Sequence, residues 1–275
     1  MARRIIIGIV LTLVLLLAAW QLSTRGPVDM VAEGAGLKIV HRTVTEQVGP
    51  GQPRLTVRVE PAESLAVVVR WVSATSGGIE ERGMIRAARD IYECSLPDLG
   101  RGARIRYWVI ATSARGGEVR LPKNADGAVL LKFKGNASDA VLGAHVACMF
   151  GAFFFMVMSL FGAIGIIRGP EDKTRTVRSA QWVLILSFIG GCPLGFLLNY
   201  QTFGVIWEGY PFGYDVTDNK TQILFVFWLV SLLLVWGSFT GTGEHRDRLG
   251  RKAFAWAILV SFFVSLALFI LPHSV

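Results

Sequence analysis

No aspartate, glutamate, lysine or arginine stands near the middle of any long apolar run in this chain. Ion-coupled transporters and proton pumps place such residues along their path, so the absence counts against both activities. Cysteine is scarce, with three in 275 residues. Only Cys94 falls between the first and second apolar runs, so no disulfide can form within that stretch. A phosphate-binding loop is also missing. The nearest string, "GTGEH" at 241–245, lacks the lysine and the following serine or threonine that make such a loop specific.

What the chain has in quantity is hydrophobic residues, 52% of the total. Crossing the hydrocarbon core takes about 20 helical residues, and five runs approach or reach that length: Ile5–Trp20, Ala140–Ile167, Ala180–Tyr200, Ile223–Thr240 and Ala253–Leu271. The first follows "MARR", as a secretory signal does. However, Leu17-Ala18-Ala19-Trp20 is a poor cleavage site and no cysteine stands beside it for lipidation, so an uncleaved anchor is expected. Cleavage would leave four spans. The expected organisation is an anchor or signal peptide at 1–21, an exported domain at 22–138, and a four-helix membrane bundle at 139–275 with an outer loop at 201–221.

Lysine and arginine are retained on the cytoplasmic side. Arg3 and Arg4 precede the first run, Arg168, Lys173, Arg175 and Arg178 lie between the second and third, and Arg246, Arg248, Arg251 and Lys252 between the fourth and fifth. The loop at 201–221 has only Lys220 against Glu208, Asp215 and Asp218. The amino terminus is therefore expected inside, with residues 22–138 and the carboxyl terminus outside a bacterial cytoplasmic membrane. Ten of the basic residues behind the net charge of +8 are these loop residues. That charge is read as topological, and no nucleic-acid partner is expected.

Between the first two runs the pattern changes to short alternating segments, "LKIVHRTV", "LTVRVEP", "LAVVVRWVSA", "DIYECSLP", "ARIRYWVIAT" and "AVLLKFK", separated by turn residues. Such spacing implies an all-β antiparallel sandwich. The run "YECSLPDLGRGARIRYWVIATSARGG", through Tyr92, Leu96, Pro97, Gly102, Tyr107, Ala111 and Gly116, resembles the later strands of bacterial fibronectin type III and immunoglobulin-like domains. The resemblance covers about residues 35–135. It implies a spacer or protein-binding module and names no activity. No catalytic set is visible in this stretch. His41 reads as structural, Glu80-Glu81 as a solvated turn, and Trp71, Tyr107 and Trp108 as core or edge aromatics.

In the second run, "GAHVACMFGAFFFMVM" places His145, Cys148 and Met149 on one helical stripe. With His273 beyond the fifth run, they form a candidate set for copper or haem. As ordinary bundle filler, they would leave the protein without a cofactor. In the third run, Gly190, Gly191, Pro193 and Gly195 predict a kink.

The most distinctive stretch is "GYPFGYDVTDNKT", residues 209–221. Trp207, Tyr210, Phe212 and Tyr214 suit a lipid-headgroup interface, and Gly204, Gly209 and Gly213 permit tight turns. Thr217 or Asp218 is expected to cap the fourth helix. Asp215, Asp218 and Asn219 form an alternative oxygen site for a hard cation, and with Lys220 they could serve an enzyme acting at the outer mouth. The favoured reading is a shaped loop that contacts the sandwich or another subunit. The protein is then a non-enzymatic membrane scaffold or envelope-complex subunit, with the lipid bilayer and membrane or periplasmic proteins as partners.

Overall fold

The computed structural model describes residues 2–23, 26–61, 66–73, 77–124 and 127–271. The chain divides into two compact units, one β and one helical.

The β unit comprises the described residues of 26–137, with 201–205. Its strands in chain order are β1 (Asp29–Gly34), β2 (Leu37–Arg42), β3 (Glu46–Val48), β4 (Arg54–Glu60), β5 (Ala66–Ser73), β6 (Ile79–Gly83), β7 (Ile85–Arg86), β8 (Ile91–Ser95), β9 (Arg104–Thr112), β10 (Glu118–Leu121) and β11 (Val129–Lys134). One sheet runs β1-β2-β4-β8-β7. The other runs β3-β11-β9-β5-β6, with β10 also paired to β9. All pairings are antiparallel except β3 with β11.

Alternation explains this layering. In β4, Leu55, Val57 and Val59 point inward and are fully buried, while Arg54, Thr56, Arg58 and Glu60 are exposed. The inward residues of both sheets, among them Ile39, Val69, Tyr107, Val109 and Leu131, share one hydrophobic core, the arrangement of a β-sandwich. Burying each such aliphatic side chain contributes about 1.5–3 kcal/mol.

His41 enters that core with its polar atoms satisfied. Its Nδ1 lies 2.8 Å from Thr56 O, a pure acceptor, so Nδ1 carries the proton. Nε2 must then accept from the Tyr107 hydroxyl at 2.8 Å, and that hydroxyl in turn accepts from Val44 N–H at 2.9 Å. Trp71 is buried beside them in the core, and the half-buried Trp108 stacks under the Arg120 guanidinium at 4.7 Å. Glu80 and Glu81 lie on the exposed strand β6, where a turn was expected, and Glu81 pairs with Arg70 at 2.7 Å.

The helices are α1 (Ala2–Ser23), α2 (Asp139–Arg168), α3 (Lys173–Ile189), α4 (Gly195–Phe203), α5 (Val216–Leu233), α6 (Trp236–Thr240) and α7 (Arg251–Ile270), and all belong to the helical unit except residues 201–203 at the end of α4. A wide π-helical turn, Gly190–Leu194, joins α3 to α4 without a break. Pro193 within it has no N–H to offer the preceding turn, which accounts for the distortion. Among the described residues four helices are long and apolar enough to cross a membrane: Ala2–Leu22, Asp139–Arg168, Lys173–Phe203 and Arg251–Ile270.

The expected fourth span, Ile223–Thr240, takes a different form. The helix starts earlier, at Val216, and ends at Leu233, and a turn at Leu234 and Val235 precedes α6. Its first turns carry Asp218, Asn219 and Lys220, which shortens the apolar stretch. Phe153, Met156, Trp228, Leu232, Phe254 and Ile258 form the centre of the helical core. Polar pairs between α5 and α7 cross it, with Trp228 Nε1–H donating to Ser265 Oγ and Ser231 Oγ 2.9 Å from Ser261 Oγ. Gly162 brings α2 against α3, since a Cβ there would lie 2.2 Å from Thr176 Oγ1.

Candidate functional site

The loop after α4 is built around one buried carboxylate. Asp218, on the first turn of α5, is 7% exposed. Its Oδ1 accepts from Asn199 Nδ2 at 2.9 Å, and its Oδ2 accepts from Glu208 N–H at 2.7 Å. One side chain thus ties the end of α4, the middle of the loop and the start of α5.

The cap of α5 is Asp215, where Thr217 or Asp218 was expected. Asp215 Oδ1 accepts from the N–H groups of Thr217 at 2.8 Å and Asp218 at 3.1 Å. Its charge also lies at the positive end of the helix dipole. The reason for the shift is that the helix begins at Val216, about two turns before the apolar run at Ile223.

Asn219 Oδ1 accepts from Tyr210 N–H at 2.8 Å, and Lys220 Nζ donates to Leu271 O at 2.5 Å. Asp215 N–H returns to Glu208 O, closing the loop at 2.9 Å. Gly209 and Gly213 allow this compactness. A Cβ on Gly209 would lie 2.8 Å from Asp218 Cβ, and one on Gly213 would lie 2.3 Å from Glu208 O. Trp207 packs edge-on to Phe196, with ring centroids 5.6 Å apart.

On this frame Tyr210, Phe212 and Tyr214 stand outward, 63%, 85% and 90% exposed. The oxygens of Asp215, Asp218 and Asn219 instead receive N–H groups of the protein, which gives them a structural role. Asn199 and Glu208 were missed as parts of this frame. Asn199 was visible as the amide within "FLLNY", whereas Glu208 takes part through its backbone, which leaves no mark in sequence. The segment 201–205 clusters with the β unit, where Gly135 N–H donates to Thr202 O at 2.8 Å.

The second candidate set gathers at the π turn. His145 Nδ1 is 2.9 Å from Gly190 O, a pure acceptor, so Nδ1 donates, and Nε2 is the ring nitrogen not used in this bond. Cys148 and Met149 flank the same glycine: a Cβ on Gly190 would lie 3.1 Å from Cys148 Cβ and 2.9 Å from Met149 Sδ. His273 lies outside the described residues. Among the described residues no group of three or more His, Cys, Asp or Glu side chains could hold a metal ion.

Comparison of the chain with protein-family models and with curated proteins finds no match.

Proposed function

We propose that this is a five-span protein of a bacterial cytoplasmic membrane that presents a fibronectin- or immunoglobulin-like domain outside and serves as a non-enzymatic subunit or scaffold of an envelope complex. The amino terminus lies inside, and α5 is the remaining span. The observation that carries the reading is the loop of residues 204–215. Its exposed Tyr210, Phe212 and Tyr214 are mounted on a frame already fixed by Asp218, Asp215 and Asn219. Rigid aromatic residues are favoured contact points between proteins, and a preformed loop loses little conformational freedom on docking. The positive-inside distribution of lysine and arginine supports the orientation.

The test is purification of the tagged chain from native membranes in mild detergent, with co-purifying proteins identified by mass spectrometry. A reproducible stoichiometric partner set, depleted by the combined Tyr210→Ser, Phe212→Ser and Tyr214→Ser variant, is the expected result. A chain that emerges alone would count against the scaffold.

A second reading is favoured by the bond from His145 Nδ1–H to Gly190 O, which leaves Nε2 as the nitrogen that could face a ligand. A histidine fixed through Nδ1–H to a backbone carbonyl has the orientation used by metal-bound imidazoles, and Cys148 and Met149 would add soft sulfur ligands for copper, while haem would use the imidazole. On this reading the purified protein carries copper or visible absorbance, and His145→Ala abolishes it. Unchanged cofactor content in that variant would end the redox hypothesis.

A further inference from the structure

A groove of about 860 Å³ opens between the start of α1, the end of α2 and the start of α3. It falls within the range of roughly 300–1,000 Å³ usual for small-molecule sites. Its wall is divided by chemistry. Ile7, Phe161 and Ile164 supply an apolar side, and Arg4, Arg168 and Arg175 a cationic side.

The acids in the same wall do not neutralise all three cations. Glu171 pairs with Arg4 at 2.8 Å, and its backbone carbonyl accepts from Arg251. Asp172 caps α3 by accepting from Thr174 N–H at 2.9 Å. Among the described residues neither the Arg168 nor the Arg175 guanidinium makes a hydrogen bond or a close ion pair. Arg175 does act at longer range on the Glu171 and Asp172 carboxylates, so the wall, with three arginines against two acids, keeps a net positive charge. They come from different helix ends and are exposed.

We propose that this groove binds one anionic phospholipid, with its phosphate held by Arg168 and Arg175 and an acyl chain lying along Ile7, Phe161 and Ile164. The inference rests on reading α1, α2 and α3 as membrane-crossing helices. Basic pockets between such helices on the cytoplasmic side suit anionic headgroups. Guanidinium matches a phosphate with paired N–H donors. The apolar half of the groove distinguishes a lipid from free phosphate, which would leave Ile7, Phe161 and Ile164 without a ligand contact.

The full-length chain is reconstituted in nanodiscs of phosphatidylcholine with and without phosphatidylglycerol, and lipids retained on release are identified by native mass spectrometry. Wild type is expected to retain phosphatidylglycerol in preference to phosphatidylcholine. The double variant Arg168→Gln, Arg175→Gln should lower that retention about tenfold or more, and Arg168→Lys, Arg175→Lys, which keeps the charge without the paired donors, should fall between the two. A melting curve of each variant in detergent separates lost binding from lost folding, and the single glutamine variants replace the double one if it melts early.

A chain that inserts but retains both lipids alike overturns the inference and leaves the membrane reading standing. Unchanged retention by the folded glutamine variants overturns it too, as does displacement of the lipid by millimolar inorganic phosphate, which would mark a simple phosphate site. A folded chain that fails to enter the disc overturns the membrane reading itself.

Discussion

Lys173 Nζ lies 2.6 Å from Asp247 Oδ2, and both side chains are only 3% exposed. The pair joins the first residue of α3 to the connection between α6 and α7. Asp247 also accepts from Ser238, through its N–H at 2.8 Å and its hydroxyl at 2.5 Å. A buried carboxylate supplied with three donors is a fixed point from which the surrounding turns take their positions.

Removing one member should therefore cost more than removing both. Lys173→Met is expected to destabilise the protein by about 3–5 kcal/mol, because it leaves an uncompensated buried charge. Lys173→Met combined with Asp247→Leu should recover part of that loss. Burial pushes the Asp247 carboxyl up, but the bonds from Lys173 and Ser238 outweigh it and hold the group below its ordinary value. Its contribution is thus present above the ordinary carboxylate range and is lost as pH falls through the depressed value. Thermal melts in detergent across acid pH, for wild type and both variants, check all three statements.

The His41–Tyr107 pair gives the β-sandwich a different acid response. Burial holds the His41 imidazole below its ordinary value of 6.5, while the bond to Thr56 O pulls it upward. The unfolded chain takes up this proton first as pH falls, so the contribution of neutral His41 is complete above about pH 6.5 and declines below it. Tyr107→Phe removes both the donor to His41 and the acceptor for Val44 N–H, at an expected cost of about 1–3 kcal/mol. Denaturant titrations followed by tryptophan fluorescence at several pH values should show wild type losing stability below that point and His41→Phe losing less.

Asp218→Ala should loosen the loop at 204–215 without unfolding the helices. It removes the acceptors for Asn199 and Glu208 N–H and is expected to cost about 1–3 kcal/mol locally. Asp218→Asn should rescue little, since its amide places a donor against one of two existing donors. Hydrogen exchange at Glu208, measured against a core amide such as that of Leu232, reads the effect directly. Equal protection in all three proteins would contradict the assigned frame.

Gly162→Val should force α2 and α3 apart, because the added Cβ meets Thr176 Oγ1 at 2.2 Å. Overpacking of this kind costs about 1–3 kcal/mol. Gly143→Ala, on the same helix with no neighbour within 4 Å of the added carbon, should leave the melting temperature close to wild type.

These residues also indicate where sequence is informative. The strands with buried alternating residues, β4, β5 and β9, are legible because alternate burial leaves a period of two. β6 and β7 are not, since every residue in both is exposed. Pro193 and its glycines announce a distortion, but only the backbone reveals a π turn with a carbonyl facing His145. The aromatics and acids of the outer loop stand out by composition. Their assignment to cap, tie and exposed tip depends on which N–H groups come near them, and those are backbone atoms common to every residue. The Arg168–Arg175 groove was hidden for a further reason: arginine at a helix end carries the same topological signal whether or not a cavity lies beside it.

The π turn at Gly190–Leu194 has a consequence for phase. A regular helix advances 100° per residue, and accommodating one additional residue in a single turn rotates everything beyond it by about that angle. Asn199 lies five residues past Leu194 and meets Asp218 on the rotated side. Deleting one residue from the wide turn would keep α4 helical yet swing Asn199 about a quarter-turn away from its partner. The distortion sets the angular position at which the end of α4 meets the loop, much as a keyway sets a shaft.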